Sequence, residues 1–259
     1  MSNNKSGKLE LVFHPIKKGE EYSVSLNYDP GVIEDIIIPS TYNGLPVTAI
    51  KAEGFNYSVK SVKIPDSIKS IGHSAFRKNE NLKSIDLPKS ITGIGWGAFK
   101  YCGLTSIDIP EKVKSIGNPQ AFSGCVDLES IEVSPNNKTL KAEGNCLIEI
   151  KTGTLLCGCK ASVIPDYVKI IDRHAFYECV GLTEIVIPDS VTTIGDFAFG
   201  KCSNLTRIIL SAGVNLKGFA FNDCNNLNKV FFRGSASEWE VIDKKYNEEL
   251  TKAKVEFIK

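Results

Sequence analysis

The 23 residues from Leu182 to Asn204, LTEIVIPDSVTTIGDFAFGKCSN, recur along most of the chain, and that recurrence limits the possible folds more than any other feature. Copies start at Val59 (VKSVKIPDSIKSIGHSAFRKNEN), Leu82 (LKSIDLPKSITGIGWGAFKYCG) and Leu104 (LTSIDIPEKVKSIGNPQAFSGCVD). Their shared frame is Leu-x-x-Ile-x-Ile-Pro-x-Ser-Val-x-x-Ile-Gly-x-x-Ala-Phe-x-x-Cys, with Ala-Phe pairs ending at Phe76, Phe99, Phe122, Phe176, Phe199 and Phe221. Self-similarity at a period of roughly 20–50 residues signals stacked structural units. Each unit can bury its apolar face only against its neighbours, so the array reads as one quasi-linear domain over residues 1–259.

The frame explains how a coil forms. Ile-x-Ile alternates between the two faces of a strand. The proline that follows has no N–H and ends the ladder. Val-x-x-Ile-Gly is expected to turn the chain, with the glycine allowing a close approach, and Ala-Phe returns a ring to the interior to stack on the ring of the next coil. Each buried Leu, Ile or Phe contributes roughly 1.5–3 kcal/mol, and that suffices only when both neighbouring coils are present.

In chain order, residues 1–35 comprise a polar tail (1–8) and an N-terminal cap of weakly alternating strands. A first repeat block covers 36–127, opening on a lengthened unit, Ile36-Ile37-Ile38-Pro39 to Val47-Thr48-Ala49-Ile50, with a turn at Tyr42-Asn43-Gly44. The frame breaks over 128–162, where Asn145–Ile150 and Thr154–Cys157 flank Lys151-Thr152-Gly153 and predict a hairpin. It resumes as a second block over 163–232. Residues 233–259 form the C-terminal cap, with a short helix expected from Ser235 to about Lys245 and a closing strand over Lys254–Ile258.

Several function classes find no support. Charged residues make up 24% of the chain and the net charge is +1, without the basic stripe of a nucleic-acid surface. No apolar run approaches the roughly 18–20 residues of a membrane span. The start, MSNNKSGKLELVF, lacks the apolar core of a signal peptide. A native Met1 therefore implies the cytoplasm, whereas a removed leader implies the cell surface or secretion. His73 and His174 fall on variable turn positions and His14 in the cap, so they are read as surface residues with no acid–base role. Gly93-Ile94-Gly95-Trp96-Gly97 lies in a repeat turn and not at a strand-to-helix junction, so it is no phosphate loop. No cofactor is implied. Cys102, Cys125, Cys179, Cys202 and Cys224 share one frame position, taken by Asn79 in an earlier unit, which points to buried thiols that satisfy turn backbone groups. Cys157-Gly158-Cys159, near Cys146, lacks metal-ligand spacing and is expected to pack or to form a local disulfide. Sequons occur at Asn56, Asn137 and Asn204.

The remaining candidate surface is the outward face of the strands. At the fifth frame position the chain reads Lys63, Asp86, Asp108 and Glu132, then Val186, Ile209 and Phe231. An apolar strip, Val186–Ile209–Phe231, rimmed by Glu184, Arg207 and Lys229, has the composition of a protein-contact patch. Ile209 and Phe231 are expected to anchor a partner, and Arg207 and Lys229 to orient it.

The repeated frame resembles the BspA-like leucine-rich repeats, also called the Treponema pallidum type, over nearly the whole length of the chain. Residues 38–50 resemble the usual first repeat, and Trp239 with its flanks the usual exit segment. The resemblance implies a leucine-rich repeat solenoid, a β-rich right-handed superhelix of coils of about 22–24 residues with a parallel strand ladder and little helix. It further implies a non-enzymatic module, a cell-surface or secreted adhesin binding an extracellular matrix or surface protein. Alternatives are an intracellular interaction scaffold and a carbohydrate-binding surface. The latter needs exposed aromatics in a row, and Trp96, Tyr101 and Phe197 share no frame position.

Overall fold

The computed structural model describes residues 10–27, 34–56, 59–117 and 120–259. The tail over residues 1–8, expected to fray, lies outside these, as do Tyr57 and Ser58 of the first sequon. The chain is a leucine-rich repeat solenoid in which successive coils stack in parallel ladders.

Regular coils feed two ladders, although Ile85–Leu87 forms no strand in the first. The Ile-x-Ile segments form the first. Ser106–Ile109 pairs with Ser130–Val133, and Glu184–Val186, Arg207–Ser211, Lys229–Arg233 and Lys254–Ile258 form a four-stranded parallel sheet. The second ladder occupies the Ile-Gly step, where the sequence predicts a turn. There, strands of only two residues stack: Ser70–Ile71, Gly93–Ile94 and Ser115–Ile116 in one half, and Ile170–Ile171, Thr193–Ile194 and Asn215–Leu216 in the other. The neighbouring coil makes these segments strands, because Gly95 N–H reaches the Ile71 carbonyl (2.8 Å) and Gly195 N–H reaches that of Ile171 (2.8 Å). The glycine lets the backbones meet, since a Cβ on Gly117 would collide with the Trp96 backbone.

At the N-terminus, Leu11–Ile16 and Glu21–Leu26 form an antiparallel hairpin whose second strand pairs in parallel with Leu45–Ile50, so it covers the start of the second ladder. The frame break folds as three antiparallel strands, Leu140–Glu143, Cys146–Glu149 and Thr154–Cys157, and the last joins the second ladder beside Ile170–Ile171. Asn137 occupies the place of the frame's valine and is buried with all its side-chain hydrogen bonds made within the chain. The folded sequon at Asn137 is therefore closed to modification.

The helix that opens the C-terminal cap is shorter than expected, Ala236–Val241 instead of reaching Lys245, and a second helix, Glu248–Lys252, follows it. A capping box between Ser235 and Glu238 starts the first. Ile242 then turns extended, and Lys244 Nζ donates to the carbonyls of Trp239 (2.5 Å) and Ile242 (2.9 Å). Beyond it, side chains stand in for the missing next coil: Asn247 Oδ1 accepts from Phe221 N–H (3.0 Å) and Glu249 Oε1 from Asp223 N–H (3.0 Å). Elsewhere those positions bond to backbone carbonyls, as Phe199 N–H does to Ala220 (2.8 Å).

Two stacks of phenylalanine form the centre of the core. Phe76, Phe99 and Phe122 stack at 5.5 Å, and Phe176, Phe199 and Phe221 at 4.9 and 5.1 Å. Between the stacks Gly158 takes the phenylalanine's place. Its N–H donates to the Ala175 carbonyl (2.9 Å) as Phe99 N–H does to Ala121 (2.8 Å), and the Phe176 ring fills the space a side chain would need.

All eight cysteines are unpaired thiols. Of the five frame cysteines, Cys179, which follows the coil where Gly158 replaces the phenylalanine, is only partly buried. The other four, Cys102, Cys125, Cys202 and Cys224, donate from Sγ to the phenylalanine carbonyl of the coil before, at 2.9–3.1 Å. Asn79 does the same with its amide, donating to Phe55 and Phe76 carbonyls (both 2.7 Å) while accepting from Val59 N–H (2.8 Å). Burial pushes the thiols of Cys125, Cys146 and Cys179 up to about 12 from the ordinary value of 9.0. Above pH 9 the unfolded chain therefore releases thiol protons that the folded chain retains, so stability is full below that pH and falls as the pH rises toward 12. The urea midpoint should decline between about pH 9 and 10.5, and decline less in Cys125→Ser, which keeps a donor for the Phe99 carbonyl but does not titrate. An identical slope in wild type and variant would remove this thiol from the explanation.

Candidate functional site

The strand pleat turns the expected strip outward. In the C-terminal sheet Val186, Ile209, Phe231 and Glu256 lie side by side in register. Val186 is 46% exposed and Ile209 and Phe231 are half-buried, while their strand neighbours Ile185, Ile208 and Val230 are buried. The strip continues backward to Val163, 71% exposed, at the same frame position of a shortened coil. Val163-Ile164-Pro165 aligns with Val186-Ile187-Pro188, so the sequence carries the signal for Val163 as well. Forward, the strip ends on the carboxylate of Glu256.

The rim charges have ion-pair neighbours within the chain. Arg207 pairs with Glu184 one coil away, Lys229 Nζ lies 3.9 Å from Glu256 and 5.8 Å from the Phe231 ring, and Arg233 reaches Asp189 at 3.0 Å, where Ser211 also donates. Arg207 and Lys229, expected to orient a partner, also pair within the chain, because residues of neighbouring coils stand next to each other. Such exposed pairs are worth roughly 0–1 kcal/mol of stability each, but together they leave the strip inside a charge-balanced frame. Asp189, Arg233 and Glu256 come from the proline turn, the strand end and the cap, and only stacking brings them to the strip.

A second row of side chains occupies the outer turn. His174, Phe197 and Phe219 stack at ring distances of 5.5 and 5.2 Å, and Tyr246 leans on Phe219 at 5.0 Å with its ring tilted by 35°. His174, Phe197 and Phe219 share one frame position with left-handed backbone (φ 58°, 53° and 59°). This is the aromatic row that Trp96, Tyr101 and Phe197 do not make. Its rings cover one another's faces, so the surface it offers is mainly ring edges. His174 departs from the surface reading: it is half-buried, its Nδ1 finds no partner among the described residues, and burial, with Arg173 and Lys100 nearby, lowers its pKa to about 4.

Among the described residues no group of His, Cys, Asp or Glu is placed to hold a metal ion, and no helix is long and apolar enough to cross a membrane.

A family model described as the BspA type leucine-rich repeat region matches residues 48–152 and 155–248, in six copies. No curated protein matches the sequence. Among solved structures, a leucine-rich repeat protein from Bacteroides ovatus is 24% identical, covering 96% of this chain and 75% of that one, with a TM-score of 0.56. One from Eubacterium ventriosum is 19% identical over 97% of this chain and 85% of that one, with a TM-score of 0.55. A leucine-rich cell surface protein from Faecalibacterium prausnitzii is 22% identical over 89% and 95%, with a TM-score of 0.35. At these identities the likeness to the Bacteroides ovatus and Eubacterium ventriosum structures is one of fold.

Proposed function

The chain belongs to the BspA-type leucine-rich repeat family, and on that premise we propose that it is a non-enzymatic protein-binding module that docks its partner on the outward face of the C-terminal ladder. The observation that carries this reading is the strip of Val186, Ile209 and Phe231, apolar side chains held outward by one continuous ladder, with Val163 exposed beyond its first strand. Water-exposed apolar strips with polar rims suit protein contact, and solenoids present such surfaces without needing to move. Adhesion at a cell surface, or after secretion, is the role the family likeness implies.

The test is binding of the purified chain to a panel of matrix and cell-surface proteins, with Ile209→Asp/Phe231→Asp beside wild type. A central anchor is worth about 2 kcal/mol or more, so affinity should drop by at least roughly thirtyfold. The thermal transition should stay close to that of wild type, since neither side chain enters the core. Binding that survives the double substitution would place the partner elsewhere on the molecule.

A further inference from the structure

The coil before strand Glu184–Val186 is short. Pro165 follows Cys159 by six positions, whereas Pro188 follows Cys179 by nine and Pro88 follows Asn79 by nine. Hydrogen bonds locate the gap. Ser162 N–H donates to the Cys159 carbonyl (3.1 Å) as Leu182 does to Cys179 (3.0 Å), so Ser162 stands in the leucine's place. Val168 N–H donates to Pro165 (3.1 Å) as Val191 does to Pro188 (3.0 Å), so the frame is whole again from Val163 onward. The equivalents of Thr183, Glu184 and Ile185 are missing.

The consequence is an open edge. Glu184–Val186 is the end strand of its sheet. Backbone groups alternate in direction along a strand. Ile187 N–H donates to the Ile209 carbonyl (2.9 Å), so Ile185 and Ile187 face the following coil. Glu184 and Val186 therefore turn their N–H and C=O groups the other way, into a groove of about 770 Å³ bordered by Ser162, Val163, Pro188 and Arg233. The three missing residues are those that would pair with this edge, about 4.8 Å away in a complete coil, and the groove lies beside that edge. Of the five charged residues around the groove (Lys160, Asp166, Glu184, Asp189 and Arg233), four already have partners within the chain: Lys160 with Glu129 (2.8 Å), Glu184 with Arg207, and Asp189 with Arg233 (3.0 Å). A neutralised wall beside unpaired backbone groups suits an uncharged segment.

We propose that this groove is a strand-addition slot: an uncharged, extended stretch of three or four residues of a protein partner pairs with the edge of Glu184–Val186 and sets its outward side chain between Val163 and Val186. The slot rests on the protein-binding reading of this face and specifies its mode, with main-chain hydrogen bonds giving affinity and the flanking valines selecting the side chain.

The probe is the peptide Ac-Thr-Val-Thr-Val-Thr-NH2, beside the same peptide N-methylated at its central residue. In wild type the peptide should slow amide exchange at Glu184 and Val186 by at least about tenfold and leave Arg207 and Ile209 unchanged, and the N-methylated form should not. Inserting Thr-Glu-Ile between Ser162 and Val163 restores the missing strand residues and should abolish the response. Val186→Pro removes one donor at an edge position that tolerates proline and should weaken it independently, so the test does not depend on one variant folding. No protection by the peptide at millimolar concentration, or an equal response in both variants, overturns the slot. If the insertion variant still binds a panel protein that Ile209→Asp/Phe231→Asp no longer binds, the slot falls and the protein-binding face stands. If both variants bind that protein, both readings fall.

Discussion

Asn137→Ala should destabilise the protein by roughly 3–5 kcal/mol, since each buried group left unpaired costs about 1–3 kcal/mol. The side chain joins the first repeat block to the strands that interrupt it. Its Nδ2 donates to the carbonyls of Pro110 and Val113 (both 3.0 Å), and its Oδ1 accepts from the N–H groups of Thr139 and Leu140 (both 2.9 Å). Asn137 N–H donates to Ser134 (2.9 Å) as Val113 N–H does to Pro110 (3.2 Å), so the asparagine holds a valine position of the frame and uses it to redirect the chain. Asn137→Val, which restores the frame residue, should therefore destabilise nearly as much, because it fills the space but leaves the amides of Thr139 and Leu140 without acceptors. Asn137→Asp keeps the acceptor half and should fall between. Urea unfolding of the three variants measures this order; a loss below about 1 kcal/mol in Asn137→Ala would mean that water replaces these bonds.

Phe199→Ala should be of similar size, about 3–5 kcal/mol for removing a fully buried ring. Phe199 lies between Phe176 and Phe221, nearly parallel to both at 10° and 1°. Stacked pairs add about 0.5–1.5 kcal/mol beyond area burial. Because coils touch only their neighbours, the loss should be local in form as well as large. Coils after Leu205, with the C-terminal cap, should uncouple and open first, giving a split transition and fast amide exchange over 205–258 while the first block stays protected. Phe219→Ala, one column outward and 41% exposed, serves as the control and should cost about 1 kcal/mol or less. A single sharp transition in Phe199→Ala, shifted as a whole, would show that the array unfolds as one unit.

Both effects bear on what the chain makes readable. The frame exposes its own core, because every unit meets the same environment. Leu182, Ile185, Phe199 and Cys202 are buried at positions whose counterparts, Leu104, Ile107, Phe122 and Cys125, are buried too. The alternation of Ile185-Val186-Ile187 and Ile208-Ile209-Leu210 also made the outward strip legible. The thiols of Cys202 and Cys224 could be understood beforehand from the exchange of Cys for Asn at one frame position, since both can donate to a turn carbonyl.

Other features have no local signal. A two-residue strand such as Thr193–Ile194 exists only because Ile170–Ile171 and Asn215–Leu216 lie on either side. The pairing of Asp189 with Arg233, 44 residues apart, and the packing of Tyr246 from the cap on Phe219 follow from adjacency across coils. The helix limit at Val241 depends on where Lys244 finds carbonyls.

The sequence alone determined the solenoid, its repeating core and the apolar strip, because a repeated pattern of burial is a local property written once per coil. Only the tertiary structure decided the second ladder, the neutralised rim and the open edge beside Glu184–Val186. The shortened coil can be counted in the sequence, from Cys159 to Pro165, but three absent residues become a groove only when the neighbouring coil keeps its strand and has nothing to pair with.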